Sequence, residues 1–176
     1  MNADATAGGV MNSGRYSDAL KRSASHAVNE GSMRFVSIII PCRNERDFIA
    51  SCLDSILGND YPFRLIEILV VDGMSTDGTR GIVEAYAQHH TFIRLLDNPK
   101  KLTPAALNVG VKNAMGEIII RMDAHATYDS KYISKCTKAL DEYKAGNVGG
   151  IWRIIPRGNT LTGKAIVKSL SHRFGP

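Results

Sequence analysis

The feature that most constrains this chain is an alternation. From residue 35 onward, short runs of β-branched and other apolar residues, most of them stopped by Pro or Asp, alternate with longer stretches whose apolar residues recur every three or four positions. The first kind has the length and composition of a strand buried on both faces; the second has the period of an amphipathic helix. Phe35–Ile40 predicts a first strand, closed by Pro41. Glu45–Leu57 carries Phe48, Ile49, Cys52, Leu53, Ile56 and Leu57 at helical spacing and ends at Gly58-Asn59. Ile66–Val71 predicts a second strand ending in Asp72-Gly73, and Thr76–His89 a helix with Ile82, Val83, Ala85 and Tyr86 inward and His89 and His90 at its exposed end. Phe92–Leu96 is a third strand, Thr103–Met115 a helix with Pro104 in its first turn, and Glu117–Met122 a fourth strand. Ser130–Tyr143 follows as a helix, Val148–Ile155 as a fifth strand with Trp152 as a packing residue, and Leu161–Ser171 as a last helix. Strands and helices in this order predict an α/β fold, an open and mainly parallel sheet flanked by helices.

Composition agrees. The chain has 176 residues, 44% hydrophobic and 22% charged, which excludes wholesale disorder, collagen and coiled coil. Its longest apolar runs fall well short of the roughly 20 residues a membrane-spanning helix needs. A net charge of +5 suits an anionic partner such as a nucleotide, a nucleic acid or a lipid headgroup layer, and equally suits plain solubility. Cys42, Cys52 and Cys136 are odd in number and have no C-x-x-C spacing, which argues against a disulfide framework and for a reducing, cytoplasmic setting. Residues 1–34 are rich in Gly, Ser, Asn and Ala, lack a signal-peptide pattern, and are expected to be a disordered leader with a short helix around Tyr16–Ala27.

In an open parallel sheet, ligands sit outside the carboxyl ends of the strands. Those ends carry Pro41-Cys42-Arg43-Asn44-Glu45, Asp72 to Thr79, Asp97 to Lys101, and Asp123-Ala124-His125. Singly, each has a bland explanation: Asn44 or Ser75 as a helix cap, Asp72-Gly73 as a turn, Arg43 or Arg121 in a surface ion pair. Together they place polar groups of four successive strands on one edge. In an extended segment Asp123 and His125 face the same side, and an oxygen and a nitrogen donor together suit Mn²⁺ better than Mg²⁺ without excluding the latter. On spacing alone the pair is equally compatible with a capped loop beside a solvated histidine. There is no P-loop, no G-x-G-x-x-G after the first strand and no G-x-S-x-G elbow. No basic–aromatic ladder points to nucleic acid.

The segments V-S-I-I-I-P-C-R-N-E, V-V-D-G-M-S-T-D-G-T, L-T-P-A-A-L-N-V-G and M-D-A-H resemble the successive motifs of family-two glycosyltransferases, from about Phe35 to Gly175. R-M-D-A-H in place of D-x-D, with N-P-K-K ahead of the L-N-x-G helix, is most similar to the succinoglycan-type exopolysaccharide glucosyltransferases. The resemblance implies a GT-A (Rossmann-like) fold, a UDP-sugar donor and transfer with inversion to a lipid-linked saccharide, with glucose the expected sugar and peripheral association with the inner membrane compatible with it. It implies that Pro41 and Glu45 line the nucleotide pocket, that Asp72 accepts a hydrogen bond from uracil, and that Asp77 braces that loop. Asn108 would lie near the donor, Gly110 would allow close packing, and Lys101 or Arg121 would offset diphosphate charge. Asp123 and His125 would hold the divalent cation, Mn²⁺ or Mg²⁺; relatives more often carry a second Asp where this chain has His125.

Inverting transfer also needs a general base. After His125 the carboxylates are Asp129, Asp141 and Glu142, and none is assigned as the base. Residues 35–176 are therefore expected to form the donor-binding domain of a truncated enzyme, with the acceptor half incomplete. The rivals are a catalytically incomplete nucleotide-sugar-binding or interaction module and, more remotely, another open-sheet protein such as a receiver-like or nucleotidyltransferase domain.

Overall fold

A computed structural model describes residues 33–151, 153–154 and 160–170. Four strands form one parallel sheet in the order β3-β2-β1-β4. They are β1 (Val36–Cys42), β2 (Ile66–Asp72), β3 (Ile93–Asp97) and β4 (Ile118–Arg121). The helices are α1 (Ile49–Leu57), α2 (Thr79–His89), α3 (Thr103–Asn113), α4 (Tyr132–Glu142) and α5 (Leu161–Leu170), and a single 3₁₀ turn at Phe63–Leu65 precedes β2. None of the described helices is long and apolar enough to cross a membrane.

The continuous apolar runs of β1 and β2 are explained by their central place: β2 is buried at every position and β1 at all but Pro41. One face packs Ile38, Ile40, Ile68 and Val70 against Ile49, Cys52, Leu53, Val83 and Ile133 of α1, α2 and α4. The other face packs Ile39, Leu69 and Val71 under Ala106 of α3. A Cβ on Gly110 would lie 2.4 Å from Cγ2 of Ile39, so a glycine there lets α3 rest directly on β1.

Several expectations need correction. Burial on both faces does not extend to the edge strands: β4 alternates, with Ile119 45% exposed. Pro41 does not stop β1. The Ile39 carbonyl accepts from the Met122 amide, so odd positions of β1 face β4, whose pairing ends at Ile39↔Arg121. Pro41 has no N–H to offer the Met122 carbonyl, the next acceptor in that ladder, so it ends the pairing with β4 while β1 runs on beside β2 to Cys42. α1 begins at Ile49 rather than Glu45: residues 46–48 form a turn in which the Glu45 carbonyl accepts from the Phe48 and Ile49 amides, while the Glu45 and Arg46 amides bond to Thr79 and Asp77. Ala85 is exposed, and Ala87 packs inward instead. The expected strand over Val148–Ile155 does not form in its described residues, and Ile151 is fully exposed. β-branched composition makes a strand only with a ladder partner, and Gly149-Gly150 weakens the segment. Trp152 and the expected leader up to Ser32 lie outside the described residues. Arg34, expected in the leader, is attached to the domain: its carbonyl accepts from the Tyr61 hydroxyl at 2.7 Å and its guanidinium pairs with Asp141.

Candidate functional site

The chain leaves β1 toward β2 and β3 on one side, and β4 lies on the other side of β1. The order of strands therefore reverses between β1 and β4, and a ligand crevice is expected at their carboxyl ends. Three left-handed non-glycine residues, Asn44, Met74 and Lys101, fall in loops along this edge. Such residues cost about 1–2 kcal/mol each and collect where the surrounding structure enforces a special loop shape.

The loops after β1 and β2 are bound to each other through backbone groups. The Asn44 amide donates to Ser75 Oγ (2.8 Å), and the Thr76 amide donates back to Asn44 Oδ1 (2.9 Å). The Glu45 amide donates to Thr79 Oγ1 (2.9 Å) and the Arg46 amide to Asp77 Oδ2 (3.0 Å). Asp77 Oδ1 accepts from the Thr79 amide and hydroxyl, and these bonds hold its carboxyl below the ordinary carboxylate range. Gly78, with φ of 99°, turns the chain into α2 in a conformation a side chain would strain.

Beneath this lies Asp72. Its carboxylate has no exposed surface. It accepts from the Ser75 amide (2.9 Å), the Ser75 hydroxyl (2.5 Å), Arg80 Nη1 (2.9 Å) and the Cys42 thiol (3.7 Å). Burial alone pushes the Asp72 carboxyl up, but the bonds from Ser75 and Arg80 outweigh it and hold the group below its ordinary value. Burial, and next the negative charge of Asp72, push the Cys42 thiol far up, so it stays a neutral donor. In this arrangement both carboxylate oxygens of Asp72 accept from within the protein, and the group shapes the loop above it. Arg80 also reaches Asp97 Oδ1 at 2.8 Å, tying α2 to the ends of β2 and β3.

Across the crevice, the segment after β4 is a turn, closed by the Ala126 amide on the Asp123 carbonyl at 3.1 Å. The extended relation expected for Asp123 and His125 belongs instead to Arg121 and Asp123: Arg121 Nε and Nη2 lie 3.2 and 3.0 Å from Asp123 Oδ1. His125 is 61% exposed and turns toward β1, with Nδ1 3.4 Å from Glu45 Oε1. Glu45 and His125 thus meet across the switch point. Among the described residues no group of three His, Cys, Asp or Glu side chains is placed to hold a metal ion. Asp123 Oδ2 and His125 Nε2 have no partner among the described residues. One oxygen and one nitrogen donor fit a cation whose other ligands are phosphate oxygens and water, as is usual for Mg²⁺ and Mn²⁺ at phosphate sites.

The remaining expected residues separate. Pro41 is half-buried near the end of β1, at the crevice. Asn108 is exposed on α3. Lys101 follows β3, and at normal strand spacing β3 and β4 are about 14 Å apart. The topology therefore puts Arg121, and not Lys101, beside Asp123. Two supporting residues were not singled out from sequence. Arg80 had a signal: a cation in a helix's first turn opposes the macrodipole and calls for an acidic partner. Tyr128 had none, since its hydroxyl acts through a loop closure.

The model of the family described as "Glycosyl transferase family 2" matches residues 37–175. A dolichyl N-acetyl-α-D-glucosaminyl phosphate 3-β-D-2,3-diacetamido-2,3-dideoxy-β-D-glucuronosyltransferase of Methanococcus voltae is 36% identical over 126 residues, which are 68% of this chain and 39% of that protein. The succinoglycan biosynthesis protein ExoA of Rhizobium meliloti is 36% identical over 100 residues, 56% of this chain and 30% of its own length. Among solved structures, the mannosyltransferase PcManGT of Pyrobaculum calidifontis, in complex with GDP-Man and Mn²⁺, superposes with a TM-score of 0.60 at 30% identity, covering 72% of this chain and 39% of that one. The chain thus spans well under half the length of these relatives. Four parallel strands in this order, their polar loops on one edge and a family match over most of the chain agree: it belongs to glycosyl transferase family 2.

Proposed function

We propose that this chain is the donor-binding part of an inverting hexosyltransferase that moves a sugar, with glucose the first to test, from a UDP-sugar to a lipid-linked saccharide in exopolysaccharide synthesis. The observation that carries the reading is the meeting of Glu45 and His125 across the β1–β4 switch point, beside Asp123. In this reading Pro41 and Glu45 line the nucleotide side, and the loop held by Asp72 and Asp77 shapes the base and ribose pocket. Asn108 faces the donor from α3, and Arg121 offsets diphosphate charge, with Lys101 more remote. Asp123 and His125 hold the divalent cation, which would act as a Lewis acid on the departing diphosphate. ExoA, named for succinoglycan biosynthesis, supports the exopolysaccharide class. PcManGT, bound to GDP-Man and Mn²⁺, supports a cation and a nucleoside diphosphate sugar and makes GDP the natural competitor to test. An acceptor displayed on a membrane surface is compatible with the net charge of +5.

A second reading is a module that binds nucleotide sugar without turnover. The observation behind it is the engagement of Asp129 and Asp141, two of the three carboxylates after His125. Asp129 accepts from the Lys131 amide and pairs with Lys135, Asp141 pairs with Arg34, and Glu142 ends α4. Calorimetry with UDP and GDP, each with Mn²⁺, and an assay of UDP-glucose consumption with a lipid-linked acceptor separate the two. Turnover establishes the enzyme, binding without turnover favours the module, and binding of UDP and GDP no tighter than that of inorganic phosphate, with Mn²⁺ present, rejects both.

A further inference from the structure

Below the turn that carries Asp123 and His125 lies a side chain with no place in the reading above. Tyr128 is half-buried, with its ring packed against Tyr132 at a centroid distance of 5.3 Å. Its hydroxyl accepts from the Asp123 amide at 2.6 Å and lies 3.4 Å from the Asp123 carbonyl, toward which it donates. One hydroxyl thus grips both backbone polar groups of Asp123 and closes the loop over residues 123–128. α1 supplies the base of this clamp. The Tyr128 amide donates to Ser55 Oγ at 3.1 Å, the Ser55 hydroxyl donates to the Cys52 carbonyl at 2.7 Å, and the Cys52 thiol reaches the Asp123 carbonyl at 3.6 Å. The backbone of Asp123 is therefore held from beneath by α1, whose Cys52 is buried, while its carboxylate keeps Oδ2 unengaged among the described residues.

A ligand set of two side chains supplies little chelation of its own, so its affinity depends on how well those side chains are held in place. Within the 123–126 turn Ala124 is anchored in the core, but His125 is 61% exposed and, among the described residues, its side chain is bonded to Glu45 alone, at 3.4 Å. We propose that Tyr128 is a positioning residue for the cation site, its hydroxyl fixing the backbone of Asp123 so that the carboxylate is presented to the cation before nucleotide arrives. This rests on the reading of Asp123 as a cation ligand. It extends that reading to a residue that touches neither cation nor sugar nucleotide.

Tyr128→Phe tests it, because the ring and its packing remain and only the hydroxyl goes. Mn²⁺ binding is followed by electron paramagnetic resonance on the full chain, with saturating UDP and in parallel with GDP. Nucleotide binding in EDTA and thermal unfolding are measured on the same samples. Outer partners of metal ligands typically change metal affinity by about 10–100-fold, and the lower end is expected for loss of one hydroxyl. The expected result is Mn²⁺ affinity about tenfold weaker in Tyr128→Phe, with nucleotide binding in EDTA unchanged. Asp123→Ala should abolish Mn²⁺-dependent binding. Unaltered Mn²⁺ affinity in Tyr128→Phe, beside a loss in Asp123→Ala, overturns the role of Tyr128 and leaves the cation site standing. An equal loss of nucleotide binding in EDTA also overturns it, since the hydroxyl then supports the whole crevice. Unaltered Mn²⁺ affinity in Asp123→Ala overturns the cation reading itself, and this inference with it.

Discussion

The loops after β1 and β2 are sewn together, whereas the turn after β4 is held only from below. On the first side, the side chains of Asn44, Ser75, Asp77 and Thr79 spend their polar atoms on one another's backbones, over a buried Asp72. On the second, Tyr128 and α1 fix the backbone of Asp123, but among the described residues the Asp123 and His125 side chains reach only Arg121 and Glu45. The first arrangement makes a rigid cradle whose polar groups are already committed. The second leaves donors available to a ligand. A site that must bind a charged molecule needs both: fixed geometry to spare ordering entropy, and uncommitted groups to make the bonds.

If that contrast is right, changes on the β2 side cost stability and changes on the β4 side cost binding. Asp72→Ala is the largest expected effect. It leaves Arg80 with the exposed Asp97 alone and the buried end of the Ser75 loop without its acceptor, and we expect a loss of about 2–4 kcal/mol in urea unfolding, discounted for the partial exposure of Arg80. The same carboxylate predicts a pH dependence. Its folded pKa is depressed, so its contribution is present above the unfolded value of about 3.9 and is lost as pH falls through the lower folded value. Unfolding free energy should fall more steeply with acid below about pH 4 in the wild type than in Asp72→Asn. Equal slopes for the two proteins would mean that Asp72 is not the keystone of this side.

Gly110→Ala probes the packing beneath the cradle. The new methyl meets Ile39 at 2.4 Å, so either α3 lifts from β1 or Ile39 changes rotamer, at about 1–3 kcal/mol in thermal or urea unfolding. Full tolerance of alanine would show that α3 sits more loosely over β1 than the close approach implies.

The β4 side should behave in the opposite way. His125→Ala removes an exposed imidazole whose contact with Glu45 is 3.4 Å, so unfolding should be almost unchanged. Mn²⁺-dependent UDP binding by calorimetry should weaken by about tenfold or more, as loss of one ligand from a sparse set implies. A protein that kept its Mn²⁺ dependence would leave Asp123 as the sole protein ligand and return His125 to the role of a solvated loop residue.

These contrasts mark how far the residues could be read without the fold. The central strands were legible because burial on both faces writes a continuous apolar run, as in Ile38–Ile40 and Ile68–Val71. The edge strand β4 was found, but its open face was not, since Ile118-Ile119-Ile120 carries no polar alternation to reveal Ile119 as exposed. Around Ile151 the sequence has strand composition, but the described residues there pair with no strand among the described residues, and composition cannot supply a partner. At the site, the strand-end positions were legible from the rule that ligands gather at carboxyl edges. What was not legible is which carboxylate faces inward. Asp72 and Asp123 both end an apolar strand, yet one is sealed by Ser75 and Arg80 and the other keeps an oxygen unengaged. That difference depends on contacts between residues far apart in sequence, including Asp123 with Cys52.

Arg121 gives the smallest expected effect and the sharpest test of the contrast. Its guanidinium is 56% exposed and pairs with Asp123 at 3.0 Å, so the ion pair is a surface one, worth about 0–1 kcal/mol to stability. Arg121→Ala should therefore unfold almost as the wild type does. Its binding should change in two opposite directions. Without nucleotide, Mn²⁺ should bind more tightly, because Asp123 Oδ1 is released and a nearby positive charge is removed. With UDP present, the nucleotide should bind less tightly if, as proposed, Arg121 faces its diphosphate. That second loss should shrink as salt rises, since screening over about 8–10 Å already weakens the wild-type attraction at ordinary ionic strength. A stability loss comparable to that of Asp72→Ala would show that the β4 turn is as firmly laced as the β2 loop, and the division of labour between the two sides would fail. Opposite shifts for Mn²⁺ and UDP would show instead that Arg121 holds the Asp123 carboxylate until nucleotide arrives and then serves the phosphates.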